Sequence, residues 1–522
     1  MRQVARPNPQ RQRTATPISI PSPTGGLNTR DSISNMPPTD AVILNNWIPD
    51  TDTCTLRKGY KTHASGLNGA VETLAEWAGP QGTNKLFAAC ASSNSVFNVS
   101  ATASATTAIA GSGLSNARWQ HTIFGTGGSN YLVMCNGEDP VKNFDGSSWT
   151  EPSITGTGLT SSNKFVHVTE NKERLFFTES SSTSVWYLGI QSIAGSASEF
   201  DYASLMSMGG YIQASATWTL DGGNGIDDYF VVLTSEGEAI VYSGTNPANA
   251  ATWALQGVFK IGAPVGRRCF FNIGADLIVI TDDGAIPLSK ALLTGRTAQY
   301  EAITDKIRTT VRDLTNDNRE KFGWQPILYP RRGLGIINVP EDTGSDFTSR
   351  QLVINTFNGA WCIFVSVEAA VWSLYDQNLF FGTKDGAIMH FDSTTADNGA
   401  DILGDGQPAF TTFGTPQNKQ FHHARVHLQT QGLVVPAVEV LTDYEIKVPA
   451  NVPNFDATGA VWDEAAWDSE FWVGDEPDQT QRDWFAVDGH GYVGTIRMRI
   501  TTGQKEVKWN QTDYLVESIG LI

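Results

Sequence analysis

A buried-type strand, a tight polar turn and a second strand recur through the middle of this chain, and that repetition limits the fold more than any other feature. The copies begin KLFAAC at Lys85, YLVMC at Tyr131, RLFFTES at Arg174, YFVVLTSEGEAIVY at Tyr229, DLIVITDDGAIPL at Asp276 and LFFGTKDGAIMHF at Leu379, with a weaker copy, GLGIINV, at Gly333. Successive copies lie 43 to 57 residues apart, and a propeller blade of four strands needs about 40–50. Glu236-Gly237, Asp283-Gly284 and Asp385-Gly386 supply turns that require positive φ. Phe144-Asp145-Gly146-Ser147-Ser148-Trp149 and Phe357-Asn358-Gly359-Ala360-Trp361 each set an aromatic on either side of a turn glycine, as if closing a blade. One twisted sheet cannot bury both faces alone, whereas a ring of sheets packs face on face and leaves only short edges. The reading is an all-β chain with a propeller of about six to eight blades.

The propeller is expected over residues 41–407. The longer gap before Gly333 holds TAQYEAITDKIRTTVRDL, where Ile303, Ile307 and Val311 fall four apart, so an inserted helix is expected near 300–315. Residues 1–40 read as an extended arm. Pro7, Pro9, Pro17, Pro21 and Pro23 prevent a helix, and Arg2, Arg6, Arg11 and Arg13 precede the first acid, Asp31. These arginines are expected to lie on a neighbouring subunit or adaptor as an assembly arm. Residues 408–522 read as a β-rich C-terminal domain. Within it, 451–490 holds ten Asp or Glu against one Arg, together with Trp462, Trp467, Trp472 and Trp484. Large aromatics dominate interface hot spots, so these four are expected at a contact between subunits or with another protein.

Net charge is −18, with 40% hydrophobic and 17% charged residues. That composition is globular and repels nucleic acid, so DNA would pass such a body without sequence-specific binding. The five cysteines are scattered and never paired as CxxC, which reads as buried small hydrophobes rather than a disulfide framework. No apolar run is long enough to insert in a membrane, and MRQVARPNPQRQRTATP lacks the apolar core of a secretory signal. The expectation is synthesis in the cytoplasm.

Chemistry-bearing patterns are few. His423 and His427 lie in a stretch that alternates as a strand, which sets them about 13 Å apart, too far for one zinc. GxSxG, HExxH and the phosphate-cradling GxxxxGK[ST] do not occur. Gly262-Ala263-Pro264-Val265-Gly266-Arg267-Arg268 lies between strands and reads as a connection between blades. Asp227-Asp228 and Asp282-Asp283 are the carboxylate pairs a propeller glycosidase would use, but Asp283 is explained by its turn. The reading is a non-enzyme with no cofactor and no metal.

Several steps, in order, resemble a phage structural family: Gly25-Gly26-Leu27-Asn28-Thr29-Arg30-Asp31, then Asn46-Trp47-Ile48-Pro49, then Leu56 to Tyr60. Arg174 to Gly189, Tyr229 to Pro247 and Gly262 to Phe270 follow, and Trp509 to Tyr514 with Glu517-Ser518-Ile519-Gly520 closes the series. The chain resembles the tail nozzle, or hub, proteins of short-tailed bacteriophages over essentially its whole length. The resemblance implies a virion tail protein and a homohexameric ring below the head-to-tail adaptor. It also implies partners in a tail fibre or tailspike and a needle or plug, and a ring that conducts and retains DNA before ejection. On this reading rigid blades hold open the channel of the ring, and an acidic lining keeps DNA from binding tightly. The rival expectation is a propeller that binds or degrades glycans as a tail or spike protein.

Overall fold

Each of the seven apolar copies is the second strand of a separate antiparallel sheet. The computed structural model describes residues 15–103, 105–109, 114–221, 226–291, 302–342, 347–432, 434–449, 479–503 and 505–520. It divides into two compact units, Lys58–Gly399 and Met1–Arg57 with Ala400–Ile522.

The first unit is a β-propeller. Its described residues form five four-stranded sheets, one further antiparallel run of four strands and one three-stranded sheet. Blade 1 runs Val71–Trp77, Lys85–Cys90, Val96–Asn98, Thr106–Ile109, and blade 2 runs Gln120–Gly125, Asn130–Cys135, Lys142–Phe144, Trp149–Thr150. Blade 3 holds Phe165–Asn171, Arg174–Glu179, Ser184–Tyr187 and Ser198–Asp201, and blade 4 holds Ile212–Asp221, Ile226–Thr234, Glu238–Gly244 and Trp253–Lys260. The three-stranded sheet, Phe270–Ile273, Asp276–Thr281 and Gly284–Pro287, comes next. Blade 5 is Gln325–Tyr329, Leu334–Asp342, Phe347–Asn355 and Trp361–Phe364. Blade 6 takes Val371–Tyr375, Asn378–Gly382 and Ile388–Thr394 from late in the unit and Gly59–Ala64 from its start. That shared blade closes the ring, because Val371–Tyr375 packs on Val71–Trp77 of blade 1.

The first strand of each sheet is the innermost and packs against the neighbouring sheets' inner strands. Phe87, Val133, Phe176, Val232, Ile278 and Phe380 lie on the second strands, one strand out from the axis. The reason is physical: the second strand is covered on both faces and both edges, so its sequence is the most uniformly apolar. Neighbouring blades share cores. Trp77, Phe87, Trp119, Leu132 and Phe144 join blades 1 and 2, and Phe176, Val185, Phe230, Ile240 and Trp253 join blades 3 and 4. Each such side chain contributes about 1.5–3 kcal/mol through burial. The hairpin glycines Gly237 and Gly386 have φ of 88° and 77°. A Cβ at Gly386 would lie 1.9 Å from the Leu67 carbonyl oxygen, so no other residue fits that turn.

The second unit is a β-sandwich. One sheet contains Trp47–Pro49, Cys54–Leu56, Val507–Gly520, Asn418–Thr430 and Gln479–Gln481, with Thr16–Pro21 and Trp484–Gly491 paired at its sides. The other contains Asp40–Asn45, Ile402–Pro408, Gly494–Thr502 and Ala437–Thr442, with Gly26–Leu27 parallel to Asp40–Asn45. Leu44, Trp47, Phe421, Ile496, Met498, Trp509 and Tyr514 are buried between them. Trp47 and Trp509 meet edge to face at 5.9 Å. Gly404 and Gly406 make room for them, since a Cβ at either would lie 2.8 Å or less from an atom across the gap.

Three boundaries differ from expectation. The propeller begins at Lys58, not 41, and ends at Gly399, not 407, because the patch AVILNNW supplies strands to the sandwich. Within the expected arm, residues 1–14 lie outside the described residues, and Thr16–Pro21 forms an extended strand paired with Val507–Gly520. The inserted helix is Arg308–Asn318, later than 300–315. Val311, Leu314, Thr315 and Asn318 form its buried face, while Ile307 precedes it in a short 3-10 turn. All five cysteines are buried, and none is in a disulfide.

Candidate functional site at the mouth of the propeller axis

The innermost strands all begin at one end of the axis, and the residues just ahead of them converge there. Blade 1 presents Glu72, blade 2 is preceded by Arg118, blade 4 contributes Gln213, and blade 5 is preceded by Phe322. The Gly262 to Arg268 connection brings in Arg267 and Arg268 ahead of the three-stranded sheet. It is pinned by Asp282 N donating to Ala263 O at 3.0 Å and Val265 N donating to Ile280 O at 3.2 Å. Gly266, at φ 127°, allows the turn that aims both arginines inward.

Arg268 reaches the opposite side of the ring. It donates to Glu72 O at 3.1 Å, Thr73 Oγ1 at 3.0 Å and Trp119 O at 2.8 Å, joining the three-stranded sheet to blades 1 and 2. Thr73 Oγ1 in turn donates to Ala117 O at 2.7 Å. The Phe322 ring is flanked by two guanidinium groups, with the Arg118 Cζ at 4.5 Å and the Arg268 Cζ at 5.3 Å from its centroid. Arg118 also donates to Glu72 Oε1 at 3.0 Å. These side chains cross the propeller axis. The mouth is basic. Around a cavity of about 440 Å³, Arg118, Arg267, Arg268, Arg319 and Lys321 face only Glu236 and Glu320.

Burial lowers the Arg268 pKa to about 10, with Glu72 opposing that shift. Burial also lowers Arg267, which makes no hydrogen bond or ion pair among the described residues. His167, buried on blade 3, is pushed down to about 3 by burial and then by Arg267. It stays neutral near pH 7, so the positive charge here belongs to arginine and lysine. Two further cavities, of about 510 and 320 Å³, share Arg118 and Glu72, and one of them adds Lys384. The arrangement is a basic, partly aromatic groove suited to oxoanions.

Arg2, Arg6, Arg11, Arg13, Trp462, Trp467 and Trp472 lie outside the described residues. Trp484 sits on its own strand at 41% exposure, with the Arg425 guanidinium 4.5 Å from its ring centroid. His423 and His427 do lie on a strand, Asn418–Thr430. His427 Nε2 is 2.7 Å from Asp513 Oδ2, and His423 meets the Trp484 ring edge to face. Of the carboxylate pairs, Asp228 accepts from Lys172 at 2.7 Å and Asp282 lies 3.6 Å from Arg319. Arg267 and Arg268 were visible in the sequence only as the end of a glycine-rich connection. Arg118 and Phe322 have no sequence neighbours of their kind, so nothing local marks them.

Fold and site together define a β-propeller closed at one mouth by stacked arginine and phenylalanine, carried in one chain with a β-sandwich unit. No family model matches the chain, and no curated protein matches it. Solved structures similar to it include the WD40 β-propeller domain of Doa1, at 12% identity and TM-score 0.39, covering 64% of this chain and 97% of that one. Another is the extracellular domain of the putative one component system BT4673 from B. thetaiotaomicron, at 10% identity and TM-score 0.40, covering 86% and 62%. A third is a glycoside hydrolase family 43 arabinoxylan arabinofuranohydrolase from Bacillus subtilis, at 11% identity and TM-score 0.26, covering 88% and 96%. The propeller assignment rests on the strand pairing itself.

Proposed function

We propose that this chain is a non-catalytic structural component of a short phage tail, a nozzle or hub whose copies form a ring, with six as the expected number. The observation that supports this most is where the family-like steps meet. Asn46 to Pro49, Leu56 and Trp509 to Tyr514 are far apart in sequence, yet they pack in one sandwich core through the Trp47–Trp509 contact. Asn46 accepts from Arg57 at 2.9 Å and donates to Leu403 O at 2.8 Å. Asn28 donates to Asp31 and Asp40 at 2.9 and 2.8 Å, fixing the Gly25 to Asp31 turn. The resemblance is thus carried by residues that build a framework rather than by a reactive centre.

In such a ring the DNA conduit would run between the copies, since Arg268 and Phe322 block each propeller's own axis. The surrounding body, at −18, would let phosphates slide past without tight binding. The head-to-tail adaptor, a fibre or tailspike, and a needle or plug are the partners this reading assigns, and the virion tail is its location. Electron microscopy of the full chain mixed with its adaptor tests it. Six-fold rings are the expected result, and a persistent monomer in the adaptor's presence would refute the reading.

A further inference from the structure

We propose that the groove across the propeller mouth is a docking site for a carboxylate-rich peptide segment, and that residues 451–478 of a second copy of this chain are its occupant. Three observations carry this. First, the three cavities are joined: Arg118 borders all of them, Arg267 two, and Phe322 two. A joined groove offers an extended segment several seats, where a single pocket would hold one small anion. Second, its cations are unevenly committed. Arg268 spends its donors on Glu72 O, Thr73 and Trp119 O, and Arg118 is paired with Glu72. Arg267 borders two of the cavities with its donors unused among the described residues. A part-buried guanidinium with donors to spare favours a carboxylate approaching in bidentate geometry. Third, the charges are complementary within one sequence. Residues 451–478 carry eight Asp or Glu and no Lys or Arg.

The groove is not uniformly basic, and this favours a peptide over a phosphate polymer. Glu138 and Glu236 stand among the arginines, beside Asn94, Gln120, Gln213 and Ser235. Carboxylates and amides accept backbone N–H groups, which a peptide supplies and a phosphodiester chain does not. The apolar faces of Tyr211 and Phe322 in the same groove suit the aromatic residues interspersed among the acids of 451–478.

The test uses the full chain at nanomolar concentration and a fluorescently labelled peptide of sequence 451–478, read by anisotropy. Binding is expected, with affinity at least ten-fold lower in Arg267→Glu and clearly lower in Arg267→Gln. Lys447→Glu, in the other unit, is expected to leave it unchanged. Raising NaCl from about 50 to 300 mM should weaken binding, as for any partly exposed charge pairing. A peptide with every Asp and Glu replaced by Asn and Gln should not bind. Melting temperatures confirm that the variants fold. Absence of binding, or equal affinity for Arg267→Glu with an intact fold, overturns the proposal. So does capture of oligogalacturonate in place of the peptide, which would reassign the groove to an acidic saccharide. The inference adds a contact to the ring reading without depending on it. Rings that form while the peptide fails to bind would remove this contact alone, and peptide binding by a chain that never forms rings would remove only the ring.

Discussion

Asp513 is buried at the centre of a small polar network on the sandwich. It accepts from Ser19 Oγ at 2.6 Å and from Arg425 Nε at 3.0 Å, and lies 2.7 Å from His427 Nε2. Its carboxyl is held down at about 2, because these hydrogen bonds outweigh burial. The stabilisation is therefore complete above the unfolded carboxyl value near 3.8 and is lost as pH falls through about 2. Asp513→Asn is expected to cost about 2 kcal/mol at pH 7 and to flatten the urea midpoint between pH 4 and 2. His167 works over a different window. Its folded pKa of about 3 lies below its ordinary 6.5, so the unfolded chain binds the extra proton first. Stability should fall as pH drops from 6.5 towards 3, and thermal melts of His167→Gln should lose that part of the decline. Neither role was legible in the sequence. His427 stood out only as a metal candidate to be dismissed, and Asp513 only as a member of a familiar step.

At the scale of the element, what could be read depended on how completely a strand is covered. The seven second strands announced themselves as apolar runs, and their turns announced themselves through Gly237, Gly284 and Gly386, all at positive φ. First strands were harder, because one edge faces the axis and their residues alternate, as in Gln120–Gly125 with its buried Gln120 and Phe124 and exposed His121. Strands at the sandwich–propeller boundary were misassigned, because AVILNNW and KLFAAC differ in no local property that reveals which sheet each joins. Ile402–Pro408 shows the opposite case, a strand whose pattern looks weak because Gly404 and Gly406 are required by Trp47 and Trp509. Gly406→Val should overpack that interface. A loss of about 1–3 kcal/mol is expected, read as a lower melting temperature, while Trp509→Ala would leave a cavity and cost about 3–5 kcal/mol.

For the whole molecule, the mouth was invisible in the sequence because its members come from strand starts all round the ring. Only closure of the ring brings Arg268 to Glu72, 196 residues away. Arg268→Ala would leave the Glu72 and Trp119 carbonyls without their buried donor. A loss of about 2–4 kcal/mol is expected from unsatisfied acceptors and broken charged hydrogen bonds. Faster amide exchange in Val71–Trp77 and Gln120–Gly125 than in Ile212–Asp221 would mark the effect as bracing across the axis. The same closure governs how the chain is made. Thr62 bonds to Asn398, 336 residues later, and Ser19 bonds to Asp513, 494 residues later. At roughly 5–20 residues per second, the strand near Ser19 waits about 25–100 s on the ribosome before its partner exists. Thr16–Pro21 presents an unpaired edge through that interval, and Gly59–Ala64 does so until Ile388–Thr394 has been made. The newborn chain therefore carries unpaired strand edges for tens of seconds, which is the state in which edge-to-edge association competes with folding.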